Sequence, residues 1–257
     1  MNHIGILKPS TLVNLLNAIG IPAVLLYVAS MFIIPAVQGE WSWQYVQNVW
    51  DRWQSINAAM LALISSIAAF NISRFHANEQ REREFSAAKA FLPSALDELC
   101  SYFKASATFL MQVWEHLGTD RTAPFEGAVP TPPTDYKAIF SSCIEHADPE
   151  VGEYLARILR LIQIHNARIR EVAGSMEVGS TMVSSRANIK SYLYRIAELQ
   201  SLVNKLFPFA RSMKPFDRDK LVWEDFRNSY GNLDVWVDEY DGLKGFTERA
   251  LARHSDL

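Results

Sequence analysis

Two long apolar runs open the chain, and charged residues then appear abruptly. From Thr11 to Val37 the sequence reads TLVNLLNAIGIPAVLLYVASMFIIPAV, with no charged side chain between Lys8 and Glu40. As a helix this run would extend about 40 Å, enough to cross a hydrocarbon layer of about 30 Å. It predicts a first transmembrane span over about 11–37. A core helix of a soluble protein would be shorter, and a cleaved signal peptide would have a shorter apolar run with a small-x-small site before Gly39. Pro22 and Pro35 fall inside or near the end of the span, where lipid-embedded helices tolerate proline if neighbours satisfy the freed carbonyls.

A second uncharged run lies between Arg52 and Arg74, with Ile56 to Ile72 reading INAAMLALISSIAAFNI, and predicts a span over about 54–74. Ala58, Ala62, Ser66 and Ala69 form a small-residue stripe at helical spacing, read as a face on which another helix packs closely. Alanine-rich composition alone is the simpler explanation. Asn14, Asn17, Asn57 and Asn71 carry amides that lipid would leave unpaired, so they are expected to face protein or the interfaces and to join the spans by hydrogen bonds. A pore lining is the sharper alternative, though no charged ring accompanies the amides.

The connection from Gln38 to Trp53 holds Trp41, Trp43, Tyr45, Trp50 and Trp53, an aromatic belt suited to a membrane–water boundary. It has one basic residue, Arg52, whereas Arg74, Arg81, Arg83 and Lys89 follow the second span and Lys8 precedes the first. This bias predicts that both termini are cytoplasmic and the Trp-rich loop is outside. Cys100 and Cys143 then lie on the reducing side, as free thiols.

Beyond Asn78 the pattern becomes amphipathic. No Gly or Pro occurs between Ile56 and Lys89, so the second span is expected to run on as one helix. Phe85, Ala88, Leu92, Leu96, Leu99, Phe103, Ser106, Leu110, Val113 and Leu117 recur at steps of three and four, with a kink expected at Pro93 and a stop at Gly118. Residues 118–134, rich in proline, read as a loop. A short helix is predicted over 136–147. The next seam is Val151, Leu155, Ile158, Ile162, His165, Ile169 and Val172, with Asp148 as N-cap and Pro149 at the first helical position. Another follows at Ile189, Tyr192, Ile196, Leu199, Val203, Leu206, Ala210 and Met213, bent near Pro208. A last helix is expected over 233–253, with Trp236, Tyr240, Leu243 and Ala250 on one side. The expected fold is all-α: a transmembrane hairpin over 1–78 and a cytoplasmic antiparallel helical bundle with heptad-like seams over 79–257.

Charge sharpens this division. Residues 1–78 hold only Lys8, Glu40, Asp51, Arg52 and Arg74, and the remaining 22 basic and 26 acidic side chains follow. A formal charge of -3 lacks the basic surplus of a nucleic-acid binder, and two cysteines cannot build a disulfide scaffold.

The sequence contains no glycine-rich phosphate loop, no G-x-S-x-G elbow, no H-E-x-x-H and no paired C-x-x-C, so no catalytic, cofactor or metal site is assigned. Cys143, Glu145 and His146 share a short helix, where a thiol and an imidazole could meet, but such trios are commonly accidents of a helix surface. His165 occupies a seam position, as a hydrogen-bonded core histidine would. The acids Asp234, Asp238, Glu239 and Asp241 read as a solvated face in preference to a cation site. Arg157, Arg160, Arg168 and Arg170 are the densest basic cluster; ordinary salt bridging is the plain expectation, and contact with anionic lipid heads or an acidic partner the functional one.

In layout the chain resembles small bacterial inner-membrane proteins that join a two-helix hairpin to a cytoplasmic helical module, among which effectors of anti-phage defence recur. The resemblance is one of layout alone and carries no site residues. The expected function is that of a non-enzymatic membrane protein whose helical domain self-associates or binds a cytoplasmic partner, while the hairpin acts on or holds to the bilayer. A membrane-tethered enzyme with an unrecognised active site is the alternative.

Overall fold

In the computed structural model, residues 9–119 and 124–255 are described, with side chains from 17 to 253. The described residues are helical with turns and loops, and no strand occurs among them. The chain divides into two compact units, residues 1–80 and 81–257. Two helical stretches, Asn17–Gln38 and one beginning at Gln54, are long and apolar enough to cross a membrane.

In the first unit, helix α1 (Pro9–Val28) passes into a π-helical turn at Ala29–Ile33 and then into the short helix α2 (Ile34–Gln38). The π turn ends two residues before Pro35, whose ring and missing N–H disrupt the ladder to the residue four positions earlier. Glu40 and Trp41 turn the chain with φ of 50° and 64°. The expected Trp-rich loop is largely a helix, α3 (Trp43–Arg52), with Val46 buried. Helix α4 (Gln54–Lys89) continues without interruption across the boundary between the units.

Helix α1 meets α4 through a face that composition alone did not single out. A Cβ added to Gly20 would lie 2.7 Å from Ile67 Cδ1, so the backbone of α1 comes close at this point. Asn57 is buried, and Met60, Ile64, Ile67 and Asn71 are partly covered. Ala58, Ala62, Ser66 and Ala69 are all exposed, so the small-residue stripe is not where this chain's own helices pack. Its small side chains offer little area, whereas the neighbouring face offers branched side chains and two amides.

The second unit adds α5 (Leu92–His116), α6 (Tyr136–His146), α7 (Pro149–Ser175), α8 (Arg186–Ala210), α9 (Trp223–Asn232) and α10 (Leu243–Ser255). Helix α8 packs against α5, α7, α9 and α10, and α6 lies against α5 and α7. The three seams supply most of the core: Leu92 to Val113 on α5, Val151 to Val172 on α7 and Ile189 to Ala210 on α8. From Ile196 to Val203 every side chain of α8 is buried, including Glu198, Gln200 and Ser201, so this helix is enclosed on all sides instead of along one seam. Ser185 caps it, accepting from the backbone N–H of Asn188.

Several expectations are corrected. Pro93 does not kink one long helix: α4 ends at Lys89 and α5 starts at Leu92, which places Pro93 in a first turn where its missing N–H costs nothing. Asp148 precedes α7 but makes no side-chain cap; its carboxylate pairs with Arg81 at 3.1 Å. Met213 is exposed beyond the end of α8, whose last turn contains Pro208. The expected helix over 233–253 is α10 preceded by a turn and a 3-10 segment at Val237–Glu239, and α9 is a further helix that the hydrophobic spacing does not mark. Leu233 and Val235 are both buried, a spacing of two that a helix cannot direct to one side, and Asp234 between them has φ of 57°. Trp236, expected on the inner side, is exposed. Residues 120–123 of the loop and Lys8 lie outside the described residues, as does the side chain of Asn14.

Candidate functional site

The first unit is joined by polar groups at both ends of the α1–α4 contact. Asn17 and Asn71 exchange hydrogen bonds, each amide donating to the other's oxygen at 3.0 Å. Toward the other end, the Tyr27 hydroxyl donates to Asn57 Oδ1 at 2.8 Å, and Asn57 Nδ2 donates to the Trp50 carbonyl at 3.0 Å. Trp50 in turn donates from its indole to the Met31 carbonyl, and its ring meets Phe32 edge-on at 4.9 Å. Asn57 is only 4% exposed, so its two partners supply hydrogen bonds that a buried amide needs. Of the five aromatic residues of the connection, Trp50 alone is thus drawn into a hydrogen bond of this network; Trp41, Trp43, Tyr45 and Trp53 are exposed.

In the second unit the arginine cluster is distributed over different surroundings. Arg157 and Arg160 border a cavity of about 840 Å³ shared with Tyr154, Tyr194 and Arg218. Arg168 borders a separate cavity of about 340 Å³ between α7 and α8, while Arg170 stands within electrostatic reach of the Tyr102 hydroxyl. The cavities are linked by Glu198. Its carboxylate, 3% exposed, accepts from Arg157 Nη2 at 3.2 Å and from Arg195 Nη1 at 2.7 Å, one guanidinium from the border of each cavity. Sequence spacing revealed the arginines on α7 but not Glu198 or Arg195, because these partners lie on α8.

The other sequence candidates resolve as follows. Cys143 is fully buried, and burial pushes its thiol up to about 11. His146 faces Glu84 at 3.2 Å and lies 3.9 Å from Glu145, and the trio forms no thiol–imidazole pair. The Cys100 thiol is raised by burial and accepts a hydrogen bond from Gln200. His165 is in the core, edge-on to Tyr102 and Phe103, but its Nε2 has no hydrogen-bond partner, and burial lowers its pKa to about 4. Beside it, Tyr102 donates to Asn166 at 2.6 Å, with buried Ser106 Oγ close to the Tyr102 hydroxyl and the buried Tyr136 hydroxyl close to Asn166. Asp234 pairs with Lys104 at 2.7 Å. Among the described residues, no three His, Cys, Asp or Glu side chains converge as metal ligands.

Comparison with protein families, curated proteins and solved structures finds no match to this chain.

Proposed function

We propose that the chain is an integral membrane protein in which α1–α2 and α4 form a transmembrane hairpin, with the following helical domain in the cytoplasm serving self-association or a protein partner. One observation carries this reading: the apolar helices of the first unit are turned inside out relative to a soluble core. Leu25, Leu26 and Ile33 on one side, and Leu61, Phe70 and Ile72 on the other, are exposed, while the amides of Asn17, Asn57 and Asn71 are paired between segments. The most apolar windows of the two stretches are only 11% and 6% buried, the reverse of what a soluble core helix requires. Loop charge favours cytoplasmic termini, and layout favours a bacterial inner membrane.

The uncovered stripe at Ala58, Ala62, Ser66 and Ala69 supports assembly of several hairpins, since small side chains permit close helix approach in lipid. In its sharper form, such an assembly permeabilises the membrane. Reporter fusions after Tyr45 and after Leu257 test the arrangement. The first is expected outside and the second inside; finding both on one side rejects the two-span hairpin. Extraction of the full chain by alkaline carbonate would reject membrane insertion altogether.

A further inference from the structure

The smaller cavity of the second unit has a lining suited to an anion. It lies between α7 and α8 and encloses about 340 Å³, within the range of small-ligand sites. Arg168 and Arg195 supply two guanidinium groups, Ser191 and Tyr192 two hydroxyls, and no carboxylate lines it. Glu171 and Glu198 each hold one nitrogen of these arginines from outside the lining, whereas in the larger cavity Glu153, Glu198 and Asp219 are part of the wall itself.

Both arginines are oriented but retain donors. Arg168 gives Nη1 to Glu171 at 2.6 Å, and Arg195 gives Nη1 to Glu198 at 2.7 Å. The Arg195 guanidinium also lies over the Tyr194 ring at 5.4 Å, and the other nitrogens of both arginines make no hydrogen bond among the described residues, so each fork keeps donors of the kind that match phosphate or carboxylate oxygens. Leu161, Ile164 and Leu199 form an apolar portion of the lining. The polar groups converge from facing helices, since Arg168 of α7 stands within electrostatic reach of the Tyr192 hydroxyl of α8; His165 is part of the lining, but its unpartnered Nε2 is itself buried and takes no part in the site.

We propose that the cavity between α7 and α8 binds a phosphate monoester with a small apolar body, its phosphate held by Arg168, Arg195, Ser191 and Tyr192. The two forks and two hydroxyls offer more donors than the two oxygens of a carboxylate use well, and three phosphate oxygens match them better. The apolar body covers Leu161, Ile164 and Leu199, so inorganic phosphate alone would bind less tightly. The ester can be a soluble molecule or the headgroup of phosphatidic acid, which presents the same chemistry.

The test is isothermal titration of the full-length protein in detergent micelles with phenyl phosphate, inorganic phosphate and benzoate. Phenyl phosphate is expected to saturate one site and to bind more tightly than either other probe. Arg168→Gln should weaken it at least about tenfold, the loss of one charge-assisted hydrogen bond, and Tyr192→Phe should weaken it by a smaller factor. Circular dichroism and unfolding midpoints establish that each variant is folded; Tyr192→Phe serves as the probe if Arg168→Gln is not. Repeating the titration in nanodiscs distinguishes the sources: competition by phosphatidic acid but not phosphatidylcholine assigns the site to a lipid headgroup, and undiminished binding assigns it to a soluble ester. Absence of saturable phenyl phosphate binding, preference for benzoate, or unchanged affinity in both folded variants would overturn the proposal.

Discussion

The indole N–H of Trp50 donates to the Met31 carbonyl at 3.2 Å, and Met31 stands four residues before Pro35. Proline cannot donate to that carbonyl as another residue in a regular helix would. The local defect made by proline and the adjoining π turn is thus answered by a side chain from α3. Where water is excluded, such a replacement donor matters more than at a wet surface.

Trp50→Phe should therefore lower the stability of the first unit by about 1 kcal/mol, while retaining an aromatic ring against Phe32. Unfolding of the full chain in mixed micelles measures the loss. Trp43→Phe, at an exposed position without such a bond, provides the comparison and should change little.

Glu198 predicts a non-additive cycle. Its carboxylate is buried but each guanidinium partner is about half exposed, with side-chain exposures of 48% for Arg157 and 51% for Arg195. Either single change to alanine leaves one counter-charge and should cost little more than about 1 kcal/mol after solvent screening. The double variant strands a buried charge and should cost about 3 kcal/mol or more. Additive denaturation midpoints would show that the two arginines act independently.

Protonation of His165 should affect stability in one pH window. Above the ordinary value of 6.5, folded and unfolded states both hold it neutral. As pH falls from 6.5 toward about 4, the unfolded chain gains a proton that the buried ring refuses, so stability falls; below that, both states are protonated and no further loss follows. Tyr102 and Phe103 face the ring, Arg168 and Arg195 share its cavity, and no carboxylate lines that cavity to counter desolvation. Relative to His165→Gln, the parent should lose up to about 3 kcal/mol across this window. Parallel pH dependence of the two would refute it.

The unbroken α4 allows a test of whether the hairpin is an active element or a tether. Two residues inserted near Asn78 turn the helix by about 200°, whereas four turn it by only about 40°. Under the sharper proposal, membrane leakage or toxicity is lost with the two-residue insertion and largely kept with the four-residue one. A flexible Gly-Ser segment at the same place should abolish it. Equal activity of all three chains would identify a passive anchor.

What the sequence made legible follows from how local each signal is. The seams on α5, α7 and α8 depend on spacing within one helix, and residues such as Leu99, Ile162 and Val203 are indeed buried. Helix α9 was obscured because its buried residues are few, with Phe226 and Tyr230 among polar neighbours and Gly231 close behind. The turn through Asp234 was missed because Trp236, Tyr240 and Leu243 by themselves fit a helical period. The arginines of α7 were visible as a cluster, but Glu198 lies 41 residues from Arg157 and no local rule joins them. Likewise, small side chains drew attention to Ala62 and Ser66, while the choice of Ile67 and Asn71 as the face toward α1 depends on a partner distant in the chain.

The reciprocal pair Asn17–Asn71 has a consequence for biogenesis. The two residues are 54 positions apart, so at ordinary synthesis rates of about 5–20 residues per second Asn17 is made about 3–11 s before its partner exists. For a chain entering lipid as it is made, the first helix must spend that interval with its amide in water, in the translocation machinery or against another protein. The second helix arrives to find Asn17, Tyr27 and Trp50 already synthesised. Release from the ribosome before Asn71 would therefore strand the leading segment as a client for quality control, while completion of the second helix would withdraw that signal.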